Sequence, residues 1–275
     1  MEQRPLTALI TGATDGLGRA VAERLAQGGA RLVLHGRHAQ RLADAAEKIA
    51  ASGTDPITTC ADLADLSQVR QLAAEVEAKV DRLDVLVSNA GIGSGAPDSS
   101  ERQLSRDGYE LRFAVNYLAG FLLTQLLLPL LRASGPARIV NVASVGQHEI
   151  DFDDLMLEHG YSGTRAYGQS KLAQIMSGFE LAGRLPAAQV TVNSLHPGTY
   201  MPTKIVLSEL GSSVDRLDVG VDSVTRLVTD PGLTEVTGRF FDRALEARAH
   251  PQAYDPDACA ELWKRSCDLA GLSRH

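Results

Sequence analysis

The sequence predicts an α/β protein: one domain built on a doubly wound parallel β-sheet with helices on both faces. Short apolar runs rich in Val, Leu and Ile alternate from end to end with longer stretches of helical period, which is the mark of βαβ units. A glycine cluster joins the first such run to the first helical stretch. No shift in composition divides the 275 residues, and sheets of this kind often reach that length as one unit.

Leu6 to Thr11 is the first expected strand. Leu17, Val21 and Leu25 then fall four apart on one helical face, and Gly28-Gly29 ends that helix. Arg31 to His35 reads as the second strand, Ala39 to Ser52 as the second helix and Pro56 to Cys60 as the third strand. Leu66 to Val80 has helical period. Leu83 to Ser88 is an apolar strand followed by Asn89-Ala90-Gly91 and the loop Gly93-Ser94-Gly95-Ala96-Pro97. A long helix is expected over Asp107 to Leu131, and a buried strand over Arg138 to Ala143. Beyond a polar segment from Gln147 to Gly160, helical spacing resumes over Ala166 to Leu185, and Val190 to Leu195 is a strand. Thr199 to Asp218 has weak periodicity and reads as a mobile flap. Val221 to Val228 and Thr237 to Phe241 form a final helix and strand. Asp257 to Leu269 closes the chain with an N-capped helix whose apolar face holds Leu262, Ser266 and Leu269.

Bulk properties exclude several classes. The net charge of -7, with both signs interspersed, leaves no basic stripe for nucleic acid. Cys60, Cys259 and Cys267 are too few and too scattered for a disulfide framework or a closed zinc site, so a reducing cytoplasm is expected. The apolar run Phe121 to Leu131 is interrupted by Thr124, Gln125 and Pro129 and falls short of the roughly 20 residues of a membrane span. It is expected to be a buried helix.

Thr11-Gly12-Ala13-Thr14-Asp15-Gly16-Leu17-Gly18 stands between the first strand and the first helix. Glycines there allow a tight turn and let backbone N–H groups approach a pyrophosphate, while the helix N-terminus adds partial positive charge. Three residues separate the first two glycines and one separates the last two. That spacing resembles the T-G-x-x-x-G-x-G fingerprint of short-chain dehydrogenases/reductases, one-domain Rossmann-fold enzymes that use nicotinamide dinucleotides. In NAD-preferring folds an acidic residue commonly ends the second strand. Gly36 holds that place here, with Arg37 next and Arg41 one turn on. Guanidinium groups suit a 2′-phosphate, so NADP(H) is expected, with NAD(H) as the alternative. Asp62-Leu63 and Asn89-Ala90-Gly91 match positions that the family places at the adenine and the central sheet.

Tyr167-Gly168-Gln169-Ser170-Lys171 sets a phenol and an ammonium at i and i+4, on one helical face. A neighbouring ammonium favours phenolate, making Tyr167 a candidate acid or base. The resemblance implies that Asn116 bends its helix and holds a water of the proton relay, that Ser144 orients the substrate oxygen, and that Lys171 also holds the nicotinamide ribose. It further implies that Pro197-Gly198 passes beside the carboxamide. Thr199 or Thr203 could touch the cofactor, Met201 and Pro202 disturbing the usual spacing. Tyr161 with Arg165 repeats the i, i+4 spacing without a lysine and is not chosen.

The Ser144-to-Tyr167 gap exceeds the family's usual dozen or so residues and contains Asp151-Phe152-Asp153-Asp154-Leu155. With Ser170-Lys171-Leu172-Ala173, Val192 to Gly198, Tyr254-Asp255 and Leu262-Trp263, this resembles the retinol-dehydrogenase-like branch. Residues 145–166 are read as an insertion, 199–220 as a substrate flap, and His148, Glu149 and Asp151 as solvated loop. Trp263 is expected in the core or an interface. The expected activity is hydride transfer between nicotinamide and the carbonyl or alcohol of a small, lipophilic or secondary-metabolite substrate. A homodimer or homotetramer is implied through the Asn116 and Tyr167 helices. A non-catalytic NADP(H)-sensing protein and an extended-family epimerase or dehydratase are the alternatives.

Overall fold

The computed structural model describes residues 4–51, 53–95, 99–203, 206–207 and 211–273. Its strands are β1 (Thr7–Ile10), β2 (Arg31–Gly36), β3 (Ile57–Cys60), β4 (Val85–Ser88), β5 (Ala137–Val142), β6 (Val190–His196), β7 (Arg239–Asp242) and β8 (Leu245–Ala247). Among the described residues the main α-helices are α1 (Gly16–Gln27), α2 (Ala39–Ala50), α3 (Leu66–Lys79), α4 (Ala119–Ser134), α5 (Gly163–Arg184), α6 (Leu217–Thr229) and α7 (Pro256–Leu269). All eight strands form one sheet in the order β3-β2-β1-β4-β5-β6-β7-β8. Every pairing is parallel except β7 with β8.

Strand alternation divides the core in two. Leu9, Val33, Leu86, Ile139 and Val192 pack on the face covered by α3, α4, α5 and α7. Ala8, Ile10, Leu32, Leu34, Val85, Val87, Val140 and Leu195 pack on the opposite face with Leu17, Val21 and Leu25 of α1 and Val224 and Leu227 of α6. The chain reverses direction across the sheet between β1 and β4, the crevice where open α/β sheets hold ligands.

Several expected boundaries shift. The long helix begins at Leu111 rather than Asp107. Leu104 bridges antiparallel to Glu110, and Leu111 N donates to the Gln103 carbonyl at 2.9 Å, so these backbone groups are committed to a turn. The helix then passes through a π-helical stretch, Phe113–Leu118, before α4. By length and composition alone, Phe113–Ser134 could cross a membrane, which corrects the shorter run read from sequence, but 61% of its most apolar window is buried. Leu122, Leu123, Leu127 and Leu131 belong to the core beside the sheet.

Helix α5 starts at Gly163, three residues early, because Ser162 Oγ accepts from Arg165 N and caps it. Asp255 caps α7, accepting from Asp257 N and Ala258 N. Residues 217–220, read as flap, form the first turn of α6. Residues 204–205 and 208–210 of that flap, Ser52 of the expected second helix and Ala96-Pro97 of the loop lie outside the described residues. The short edge strand β8, with Leu245 exposed, carried no periodic signal. Trp263 is core: it meets Phe121 edge-on at 5.0 Å between ring centroids and carries the Arg184 guanidinium on its face. Thus α7 occupies part of the surface of α4 and α5 through which an oligomer was expected.

Candidate active site

The glycine cluster closes the C-terminal end of β1. Thr11 Oγ1 donates to the Val87 carbonyl and accepts from Asn89 N at 2.9 Å and Ala90 N at 3.0 Å. Asn89 Nδ2 donates to the Thr11 carbonyl at 2.8 Å and to that of Gly12 at 3.3 Å. Asn89 therefore ties the cradle to the end of β4. A side chain at Gly18 would collide with the Gly12 carbonyl and Asn89 Nδ2. Gly18 thus lets α1 start against the turn, with Asp15 capping it through Gly16 N at 2.8 Å. Leu17 and Gly18 stand in the first helical turn, where N–H groups lack intrahelical acceptors and can face an anion. Sequence reasoning missed His35, which lies beneath the cradle. Its Nδ1 accepts from Gly12 N at 3.3 Å, so Nε2 is the donor to the Ala61 carbonyl at 3.0 Å. Burial lowers its pKa, keeping the ring neutral. A bare strand-end histidine gave no signal for this role.

At the end of β2, a side chain at Gly36 would collide with Thr14 Cγ2, so packing excludes an acidic residue there unless Thr14 moves. Arg37 is exposed and pairs with no carboxylate among the described residues, whereas Arg41 pairs with Asp15 at 3.2 Å. Asp62 Oδ1 accepts from Ala64 N at 3.0 Å, forming the turn after β3, and Leu63 is buried.

Four groups converge beyond the cradle. Lys171 is buried, and its Nζ donates to the Val142 carbonyl at 2.9 Å and to Gln174 Oε1 at 3.4 Å. Burial lowers its pKa to about 8. Asn116 sits inside the π-helical stretch. Its Oδ1 accepts from Ile92 N at 2.7 Å, and its Nδ2 donates to the Ile92 carbonyl at 3.1 Å and to Ser170 Oγ at 3.0 Å. Ser170 Oγ donates onward to the Tyr167 carbonyl at 2.7 Å. A Cβ placed on Gly91 would lie 3.2 Å from Asn116 Oδ1 and 3.6 Å from Lys171 Nζ. One placed on Gly146 would lie 3.4 Å from Ser144 Oγ and 4.0 Å from the Tyr167 ring. Lys171 Nζ lies over the Tyr167 ring, so the Asn116–Lys171 pair beside Gly91 and the Ser144–Tyr167 pair beside Gly146 are neighbours just beyond β4 and β5.

Other residues hold this space in shape. Gln147 Nε2 donates to the Ser144 carbonyl at 2.7 Å while its Oε1 accepts from His250 N at 2.7 Å. Within the 145–166 insertion, Asp151 pairs with Arg165 at 2.7 Å, and His148 and Glu149 are exposed. Tyr161 is set apart from acid–base work: burial and the adjacent Glu110 raise its pKa to about 12. After β6, Pro197 and Gly198 are buried. Thr199 N donates to Asp215 Oδ2 at 2.7 Å, and the Thr199 hydroxyl meets His196 Nε2 and Arg243. Arg243 also binds Asp215, whose carboxyl is held below its ordinary pKa chiefly by the Thr199 N–H and the guanidinium. Thr203, by contrast, packs where a side chain on Gly16 would point, 3.3 Å from that position.

The chain is similar to known proteins over most of its length. The sequence model of the family described as short chain dehydrogenase matches residues 6–209. Human retinol dehydrogenase 14 is 37% identical over 295 aligned residues, covering 97% of this chain and 86% of the relative. A Streptomyces protein named "Putative daunorubicin C-13 ketoreductase DnrU" is 38% identical over 275 aligned residues, covering 96% and 92%. Among solved structures, Pseudomonas aeruginosa RhlG in an NADP active-site complex superposes with a TM-score of 0.72 at 29% identity, over 86% of this chain and 94% of that one. Fold, glycine cradle and full-length similarity agree, and the chain belongs to the short-chain dehydrogenase/reductase family of oxidoreductases, in its retinol-dehydrogenase-like branch.

Proposed function

We propose that the protein is an NADP(H)-dependent oxidoreductase interconverting a carbonyl and an alcohol on a small lipophilic molecule. The convergence of Ser144, Tyr167, Lys171 and Asn116 beside the glycine cradle carries this reading. The cradle fits a dinucleotide: Gly18 leaves no side chain between the turn and α1, and the first-turn N–H groups of Leu17 and Gly18 suit its pyrophosphate. Thr14, Gly16 and Thr203 would border the phosphates, Arg37 and Arg41 the 2′-phosphate, Asp62 and Leu63 the adenine, and Pro197 and Gly198 the nicotinamide. When bound, the nicotinamide supplies or accepts the hydride at the reacting carbon.

Tyr167 moves the proton at the substrate oxygen, and Ser144 Oγ donates a hydrogen bond to that oxygen as charge develops. Lys171, protonated near neutrality, favours the phenolate form of Tyr167 and is fixed by the Val142 carbonyl. Asn116 holds Ile92 and, through Ser170, the backbone at Tyr167.

Exposed apolar side chains flank the site. Val145, 50% exposed, follows Ser144, and Tyr200 and Val214, 52% and 71% exposed, meet where Val214 N donates to the Tyr200 carbonyl. Such a rim favours a lipophilic substrate. The three free thiols suit a reducing cytoplasm, and self-association belongs to the same proposal.

Fluorescence titration of the purified protein with NADPH and NADH tests the cofactor reading without knowledge of the substrate, and a carbonyl panel with NADPH tests the chemistry. Tighter NADPH binding with turnover supports the proposal. Preference for NADH overturns the assignment of Arg37, and binding of neither overturns the enzyme reading.

A further inference from the structure

Four residues before Asn116 on the same helix, Arg112 forms a fully buried charged pair with Glu110, which precedes the helix. Arg112 is 0% exposed and Glu110 1%. Burial of two charges is costly unless every polar atom is bonded, and here the bonds reach three separate segments. Arg112 Nε donates to the Gly93 carbonyl and its Nη2 to the Ser94 carbonyl, each at 2.8 Å. Its Nη1 donates to the Tyr161 hydroxyl, which in turn donates to Glu110 Oε1 at 3.2 Å. Glu110 Oε2 accepts from Phe113 N at 2.6 Å, and its Oε1 lies 3.8 Å from Arg112 Nη1.

These bonds have a consistent direction. Asn116 holds both backbone groups of Ile92, and Arg112 then holds Gly93 and Ser94, so one helical turn grips three consecutive residues of the wall after β4. Tyr161 precedes Ser162, the cap of α5, which presents Tyr167 and Lys171. Gly163, the first residue of α5, abuts the Ser94 carbonyl so closely that a side chain would collide with it.

We propose that Arg112, held by Glu110 and Tyr161, is a positioning residue that fixes the wall at 91–94 against the N-terminal end of the Tyr167 helix. The Asn116 contacts alone fix only Ile92. Arg112 sets the next two residues and ties them to the insertion, so the spacing across the substrate space depends on it. Only the kinetic arm of the following test rests on the proposed reductase activity.

Three variants are compared: Tyr161→Phe, which removes one hydroxyl; Arg112→Met, which leaves the buried Glu110 carboxylate without its guanidinium; and Glu110→Gln/Arg112→Met, which removes both charges. Hydrogen exchange by mass spectrometry needs no substrate. Faster exchange at both 91–95 and 158–165 in Tyr161→Phe and in the double variant supports the clamp; exchange changed only around the substituted residue overturns it. In the kinetic arm, Glu110→Gln/Arg112→Met regains most of the thermal stability lost in Arg112→Met, yet kcat stays roughly tenfold down while the NADPH Kd stays within about twofold, since misplacement near reacting atoms costs rate rather than cofactor affinity. Recovery of kcat together with stability would make the cluster merely structural and overturn the positioning role. If the wild type binds no cofactor or reduces no carbonyl, the functional reading fails and the exchange arm alone decides the clamp.

Discussion

The Lys171 ammonium lies 5.8 Å from the centre of the Tyr167 ring and is anchored to the Val142 carbonyl at 2.9 Å. The i, i+4 spacing on α5 supplies the first distance, and the parallel pairing of β5 within the sheet supplies the second. Among the described residues no carboxylate pairs with Lys171. Burial therefore acts on its charge without an opposing ion, and the proton it holds is comparatively labile.

Tyr167→Phe is expected to retain NADPH binding while turnover falls by at least about 100-fold, since a positioned acid or base contributes on that scale. Titration of cofactor fluorescence and steady-state rates on the same preparation check both halves. Near-wild-type turnover would remove Tyr167 from the mechanism.

Lys171 titrates near 8 in the folded chain against 10.5 for an ordinary lysine. Between those values the unfolded chain binds more protons, so this group makes stability rise with pH across that window and contributes no slope below it. Relative to Lys171→Met, the wild type should gain stability from pH 8 to 10.5, by no more than about 3 kcal/mol. Urea melts of both proteins across this range measure the difference; a constant difference would show that the ammonium is not desolvated.

Arg37→Ala should weaken NADPH binding roughly tenfold and leave NADH binding nearly unchanged, because an exposed charge-assisted bond to a phosphate contributes on the order of 1 to 2 kcal/mol. Equal loss for both cofactors would place Arg37 elsewhere than at a 2′-phosphate. High salt should narrow the difference between wild type and variant.

The two threonines after β6 separate in the same assay. Thr203 packs against Gly16, whereas the Thr199 hydroxyl is taken up by His196 and Arg243. Thr203→Ala should therefore raise the NADPH Kd several-fold and Thr199→Val should leave it within about twofold, a lost neutral hydrogen bond being worth about 1 kcal/mol. The reverse order would return the cofactor contact to Thr199.

Local pattern made much of this protein legible. The alternation of apolar runs, the glycine spacing after β1 and the Tyr167/Lys171 spacing are short-range properties, and each survived folding because strand and helix periods fix which side a residue faces. The start of the long helix was misplaced because Gln103 and Leu104 compete for backbone groups of Glu110 and Leu111. Nothing in the local pattern of 104–111 announces that pairing.

The chain by itself determined the doubly wound parallel class, the glycine cradle and the tyrosine and lysine candidates, while the strand order came with the sheet. Tertiary structure alone decided that His35 supports Gly12, that Gln147 ties Ser144 to His250, that α7 covers part of α4 and α5, and that Arg112 joins the wall after β4 to Tyr161. Each of these links residues distant in sequence, and each exists because a buried polar group must find a partner or an apolar face a cover, wherever along the chain that partner happens to lie.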